Sequence, residues 1–244
     1  MRIGLFDSGI GGLTVLKAFI KYHPNNEYFY YGDTLNVPYG DKSIDELKIY
    51  TTKAVEYLLN KKIDILVIAC GTVSANLYDY IKESVDIPVY SVISEIPKYI
   101  EQNNYKKTLA MATQAAINSH AFKNTIKSEV IELACPKLVP LIENDKKDEL
   151  KLVVQDYLKY YNDIDSIILG CTHYPLIKDI IKEYVGNNVS LIDMGEILAQ
   201  SIETKDTNYS LELFFTKRTE ILDKKIKEIL NWIFFHIYQL YTYY

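Results

Sequence analysis

The chain has 244 residues and a formal net charge of −5, with Lys and Arg scattered rather than clustered, so composition offers no basic footprint for nucleic acid. That length is enough for one large or two small α/β units with a sizeable core. Cys70, Cys135 and Cys171 stand far apart without a CxxC pair, which excludes a disulfide framework and a cysteine zinc site and places the expected thiols, reduced, in a cytoplasm.

Along the chain, short apolar runs alternate with longer helix-like stretches, the pattern of parallel sheets covered on both faces. Strands are expected at RIGLFD (2–7), EYFYYGD (27–33), DILVIAC (64–70) and PVYSVI (88–93). A second set follows at TLAMAT (108–113), VIELAC (130–135), SIILGC (166–171) and VSLIDM (189–194). LELFFT (211–216) then precedes a closing helix. The polar, Asn-rich centre of KYIEQNNYKKT (98–108) is a plausible crossing between two domains. The first strand opens without the basic start and apolar stretch of an export peptide. The apolar tail ILNWIFFHIYQLYTYY (229–244) is too short for a membrane span and is broken by Asn231, His236 and Gln239, so no membrane partner is expected. Its plainest reading is a last helix packed on its own domain.

Two of the loops that follow strands carry glycine and hydroxyls. FDSGIGG (6–12) sets Asp7 and Ser8 at a strand end before a helix start, where backbone N–H groups can meet an anion, although turn chemistry alone would explain it. It fits neither the spaced glycines of a dinucleotide site nor a P-loop. YGDTLNVPYGDKS (31–43) is a second such loop, and Ser43 with Glu46 resembles a capping box.

The thiols carry the stronger signal. Cys70 ends the third strand of the first set and Cys171 the third of the second, and each is followed by threonine, Thr72 or Thr172. Buried cysteine is commonly a small hydrophobe, and Cys135, with no hydroxyl after it, reads as structural. Matching positions in a repeat argue otherwise for the pair, because reactive loops of parallel sheets lie at strand carboxyl ends and two facing domains would bring the thiols together. A free thiol is mostly protonated at neutral pH, so each needs a tuning group. His173 and Asp7 are the candidates. Two thiols across a cleft suit racemisation, in which one removes a proton from a stereocentre and the other delivers one to the opposite face. A cysteine hydrolase needs only one nucleophile.

At the level of motifs, IGLFDSGIGGLTVLK, YYGDTLNVPYGDKS, LVIACGTVSA, LACPKLVPLIE, LGCTHYPLI, LIDMGE and LFFT occur in an order that resembles the glutamate racemases, within the cofactor-independent aspartate/glutamate racemase superfamily. The resemblance spans nearly all of residues 3–217. It implies an α/β fold of two pseudo-symmetric flavodoxin-like domains with parallel sheets, 1–95 plus 208–244 and 96–207, with the active site in the cleft between them. It implies interconversion of L- and D-glutamate for peptidoglycan, with no cofactor and no metal, and a possible homodimer. By matching position, Cys70 would take the proton from the D isomer and Cys171 from the L isomer. Asp7 would assist Cys70, and His173 with Glu143 would assist Cys171. Ser8, Tyr39, Gly40, Gly71, Thr72, Thr113 and Thr172 would hold the substrate.

Three positions depart from the family pattern: Gly71 stands where asparagine is usual, Ala116 where threonine is, and Ser91 where glycine is. Gly71 and Ala116 are expected to widen the pocket or strip it of polar contacts, costing about 1 to 3 kcal/mol of binding. They leave open a racemase of aspartate or another small acid, and a non-catalytic relative that binds a protein partner.

Overall fold

The apolar runs expected to form strands do so, to within two residues at their ends: β1 (Arg2–Asp7), β2 (Glu27–Gly32), β3 (Ile65–Ile68), β4 (Val89–Ser91), β5 (Lys107–Ala112), β6 (Glu129–Ala134), β7 (Ser166–Leu169), β8 (Ser190–Asp193) and β9 (Ser210–Phe215). The computed structural model describes residues 1–230 and 236–239. Helices connect the strands: α1 (Leu13–Tyr22), α2 (Ile44–Asn60), α3 (Gly71–Ser84), α4 (Ile96–Gln102), α5 (Gln114–Asn118), α6 (Ala121–Thr125), α7 (Leu138–Glu143), α8 (Lys147–Leu158), α9 (Lys178–Val185), α10 (Met194–Ser201) and α11 (Glu220–Leu230). The capping box predicted for α2 is present, with the Ser43 hydroxyl accepting from Glu46 N–H and the Glu46 carboxylate from Ser43 N–H.

With β10 (His236–Gln239), the strands form two sheets, β10-β9-β2-β1-β3-β4 and β6-β5-β7-β8, in which every pairing is parallel. Set β9 and β10 aside, and each sheet has its second strand at the edge, then its first, third and fourth. The shared order agrees with the repeat read from the two cysteine strands. β3 and β7 are buried at every position, which is why ILVI and SIIL show no alternation.

The tail departs from expectation. The closing helix is α11, but His236–Gln239 of the apolar tail form a strand, β10, which extends the first sheet beside β9. A short β-branched and aromatic run next to an open parallel edge gains more from ladder hydrogen bonds than from one further helical turn. The rest of that tail lies outside the described residues.

One continuous hydrophobic core joins the two lobes. Leu5 of β1 and Val67 of β3 share it with Ala110 of β5, Ile168 of β7, Ile192 of β8 and Leu198 of α10. Alternate residues of the same strands, such as Phe6 and Ile68 or Met111 and Leu169, face separate outer cores. α10 follows the second sheet but packs on α1, and α11 packs on α1 too, so the seam between lobes is built of helices. Tyr28 and Tyr30 can be fully buried because their hydroxyls donate to the carbonyls of His23 and Gly9. No helix among the described residues is long and apolar enough to cross a membrane.

Candidate active site

Three central strands aim their carboxyl ends at the seam between the lobes: β1 delivers Asp7, β3 leads to Cys70 and β7 leads to Cys171. Both thiols are nearly inaccessible, 4% exposed at Cys70 and 7% at Cys171, so solvent is largely excluded from them. Their surroundings differ.

Cys70 caps the N-terminus of α3, and its Sγ lies 3.5 Å from Ser8 Oγ. Burial and the nearby Asp7 carboxylate push its thiol up to about 12, against the pull of the Ser8 and Val73 hydrogen bonds. Cys70 therefore rests as a thiol. Cys171 faces His173, whose Nδ1 is 3.7 Å from Sγ and whose Nε2 is 2.9 Å from Glu143 Oε1. Burial alone would lower the imidazole, yet Cys171 and Glu143 together outweigh it and push His173 up to about 10. At neutral pH an imidazolium stands beside Cys171. Glu143 is held below the usual carboxylate value: burial would raise it, but the bond and charge of His173 and the charge of Lys225 prevail.

Asp7 is fully buried between the two halves. Its Oδ2 accepts from Gly9 N–H at 2.9 Å and its Oδ1 from Thr172 Oγ1 at 3.4 Å. Burial raises its pKa, and the positive charge of His173 offsets part of that rise. Thr172 is itself anchored from the first lobe, where Thr14 Oγ1 donates to its carbonyl at 2.9 Å. Two of the three glycines of FDSGIGG are explained by close approach: a Cβ on Gly11 would collide across the seam with Thr172 Oγ1 and the His173 ring, and one on Gly12 with Asp7 of its own lobe.

The hydroxyls expected to hold substrate also meet across the seam. Thr72 Oγ1 and Thr113 Oγ1 are 2.9 Å apart, and a Cβ on Gly40 would lie 3.2 Å from the Thr113 Cβ. Tyr39 is buried, and its hydroxyl is committed to Asp33 Oδ2 at 2.7 Å. Asp33 accepts in addition from Thr216 Oγ1 at 2.8 Å and from Asn36, so it fixes the loop that carries Tyr39 and Gly40. Asp33 was missed in the sequence, although it follows β2 directly and its N–H bonds to the carbonyl of Asp7, which ends β1.

The expectation that Gly71 and Ala116 widen the pocket is corrected at Gly71. The place of a side chain there is filled by the Gly170 carbonyl oxygen, 2.6 Å from where a Cβ would stand. Ala116 is fully buried and donates its N–H to Thr113 Oγ1. Asn76, also missed, bridges nearby from α3 to the Thr72 and Ala115 carbonyls at 2.8 and 3.3 Å. Ser91 is buried, with its hydroxyl accepting from Ile93 N–H. Cys135 sits in the outer core of the second lobe with its Sγ near the Leu133 carbonyl, which suits a structural role. Among the described residues, no group of three or more His, Cys, Asp and Glu side chains is placed to hold a metal ion.

A pH-dependent stability follows from the Glu143–His173 pair. The raised histidine favours folding fully below its ordinary 6.5, and that contribution is lost as pH climbs toward about 10. The lowered carboxyl contributes above its ordinary 4.5 and loses its contribution as pH falls below it. The pair therefore stabilises most between 4.5 and 6.5. Glu143→Gln is expected to cost about 1 to 3 kcal/mol in that window. Urea midpoints should show the gap to the parent narrowing from pH 6.5 to 10, and a constant gap would contradict the assignment.

With this geometry, two parallel α/β lobes that close on two thiols, the comparisons agree on a class. The Asp/Glu/Hydantoin racemase family matches residues 22–202, and the chain belongs to that family. A glutamate racemase of Aquifex aeolicus is 39% identical over 241 residues, covering 95% of this chain and 94% of the relative. Among solved structures, the glutamate racemase isoform RacE1 of Bacillus anthracis superposes with a TM-score of 0.91 at 28% identity, covering 98% of this chain and 97% of the other. The Francisella tularensis glutamate racemase, solved in complex with D-glutamate, gives 0.88 at 30% identity over 98% of this chain and 97% of its own.

Proposed function

We propose that the chain interconverts L- and D-glutamate without a cofactor, using Cys70 and Cys171 as paired acid and base, and that in a cytoplasm it supplies D-glutamate for peptidoglycan. The observation that carries this reading is the pair of buried thiols at equivalent strand ends, one kept as thiol beside Ser8 and Asp7, the other facing the His173 imidazolium. The lobes that carry them are assigned to 1–95 plus 208–244 and to 96–207.

For the L isomer, the Cys171 thiolate, its charge matched by His173, takes the α-proton. The electron pair of the broken C–H bond stays on the α carbon, which flattens and shares the charge with its carboxylate. The Cys70 thiol then gives its proton to the opposite face, forming the new C–H bond and leaving a thiolate. The D isomer runs the same steps in reverse, starting from the Cys70 thiolate and Cys171 thiol with which turnover of the L isomer ends. Ser8, Thr72, Thr113 and Thr172, with backbone around Gly40 and Gly71, hold the carboxylates and amine. Excluding water strengthens each of these contacts.

Circular dichroism of L-glutamate and, separately, of D-glutamate with the purified protein tests the reading. Both signals should decay to zero, and in deuterated water the product should carry deuterium at its α carbon. Decay with aspartate alone would reassign the substrate. Flat signals with both amino acids would favour a binding protein.

A further inference from the structure

Lys225 is the one lysine among the described residues that is buried, 9% exposed, and it reaches from one lobe into the other. It lies on α11, which packs on α1, yet its Nζ donates to the Ile142 carbonyl at 3.2 Å and to Asp145 Oδ1 at 2.7 Å. Ile142 precedes Glu143, the last residue of α7, and Asp145 follows two residues later. The ammonium thus grips the chain on both sides of Glu143. A buried cation is held in place by its partners, because leaving it unpaired is costly. A cation at the carbonyl end of α7 also has the favourable sign.

Beyond this grip the chain of contacts continues without a break: Glu143 to His173 at 2.9 Å, and His173 to Cys171 at 3.7 Å. We propose that Lys225 is a positioning residue for the Cys171 half of the reaction, a cation from the first lobe that fixes the Glu143 end of α7 in the second. The inference rests on the proposed roles of Glu143, His173 and Cys171. Its consequence is that the Cys171 acid/base relay is assembled only while α11 is seated on the second lobe. The Cys70 side, held by Ser8 and the α3 N-terminus, has no such dependence.

Lys225→Met keeps the apolar stem and removes the charge. It is expected to lower kcat by about 10- to 100-fold, the cost of a misplaced catalytic group, with KM little changed. Slower transfer at Cys171 should raise the primary isotope effect on kcat/KM with α-deuterated L-glutamate and lower it with α-deuterated D-glutamate. A general loosening of the fold would not move the two in opposite directions. Lys225→Arg, which keeps the cation, should retain more of kcat than the Met variant. Asp145→Asn, on a half-exposed carboxylate, should shift the isotope effects the same way by less, and it decides the matter if Lys225→Met does not fold.

Glu143→Gln is the control for the underlying reading. If it leaves kcat and both isotope effects unchanged, the assigned role of Glu143 fails. If it shifts them while the Lys225 and Asp145 variants match the parent, or lose rate with the ratio of the two isotope effects unchanged, the positioning role of Lys225 alone is overturned.

Discussion

Cys70→Ser and Cys171→Ser should each lower racemisation by at least about 1,000-fold in both directions, the upper part of what a positioned acid or base contributes. A serine hydroxyl fills nearly the same space but is a far weaker acid than a thiol, so it neither serves as a ready base at 171 nor gives up a proton readily at 70. Every turnover uses both groups, once as base and once as acid, so neither direction survives the loss of one. The double variant should fall little further than either single one, because residues that act as a unit are not additive. Cys135→Ser should leave the rate unchanged, since that thiol packs in the outer core at 1% exposure. A sharper outcome separates the thiols: Cys70→Ser should still exchange the α-hydrogen of L-glutamate with deuterated water, without inversion, through the intact Cys171. Chiral chromatography with mass detection reads both products. Racemisation at the parent rate in either single variant would remove the two-thiol mechanism.

The parts of this site that were legible in the sequence are those set by local pattern. ILVI and SIIL announce fully buried strands, their carboxyl ends place Cys70 and Cys171, and the Ser43–Glu46 spacing writes its own helix start. What could not be read was decided by approach between distant segments. Gly11 is needed because Thr172 and His173 lie against it, 161 and 162 positions away in sequence, and nothing local in FDSGIGG distinguishes that need from an ordinary turn. Lys225 looks like any lysine of an amphipathic helix until α11 meets the end of α7. The apolar tail read as helix because the open edge beside β9, which makes His236–Gln239 a strand, exists only once the first sheet has assembled. Asp33 is the exception that a closer reading would have found, as an acid directly after a strand whose last residue, Gly32, pairs with Asp7.

Gly71→Ala is the second large effect expected, and it tests whether the closeness of the lobes matters. A Cβ at 71 would stand 2.6 Å from the Gly170 carbonyl oxygen and 3.8 Å from the Cys171 Cα. An ordinary carbon–oxygen contact is about 3.3 Å, so one backbone must move by most of an ångström. The obstacle is a carbonyl of the peptide before Cys171, not the end of a flexible side chain that can rotate away. The added methyl also sits on the residue after Cys70, so whichever side gives way, a thiol moves. Displacements of that size cost about 100-fold in rate when they separate reacting groups, while strain from overpacking costs stability by only about 1 to 3 kcal/mol. The variant should therefore fold, melt a few degrees lower and lose most of its kcat. Gly71→Asn carries the same Cβ, so installing the amide that resemblance to the glutamate racemases leads one to expect should lower activity at least as far. Parent-level kcat in Gly71→Ala would mean that the two loops part freely during turnover, and that the contact between residues 71 and 170 does not set the spacing of the reacting thiols.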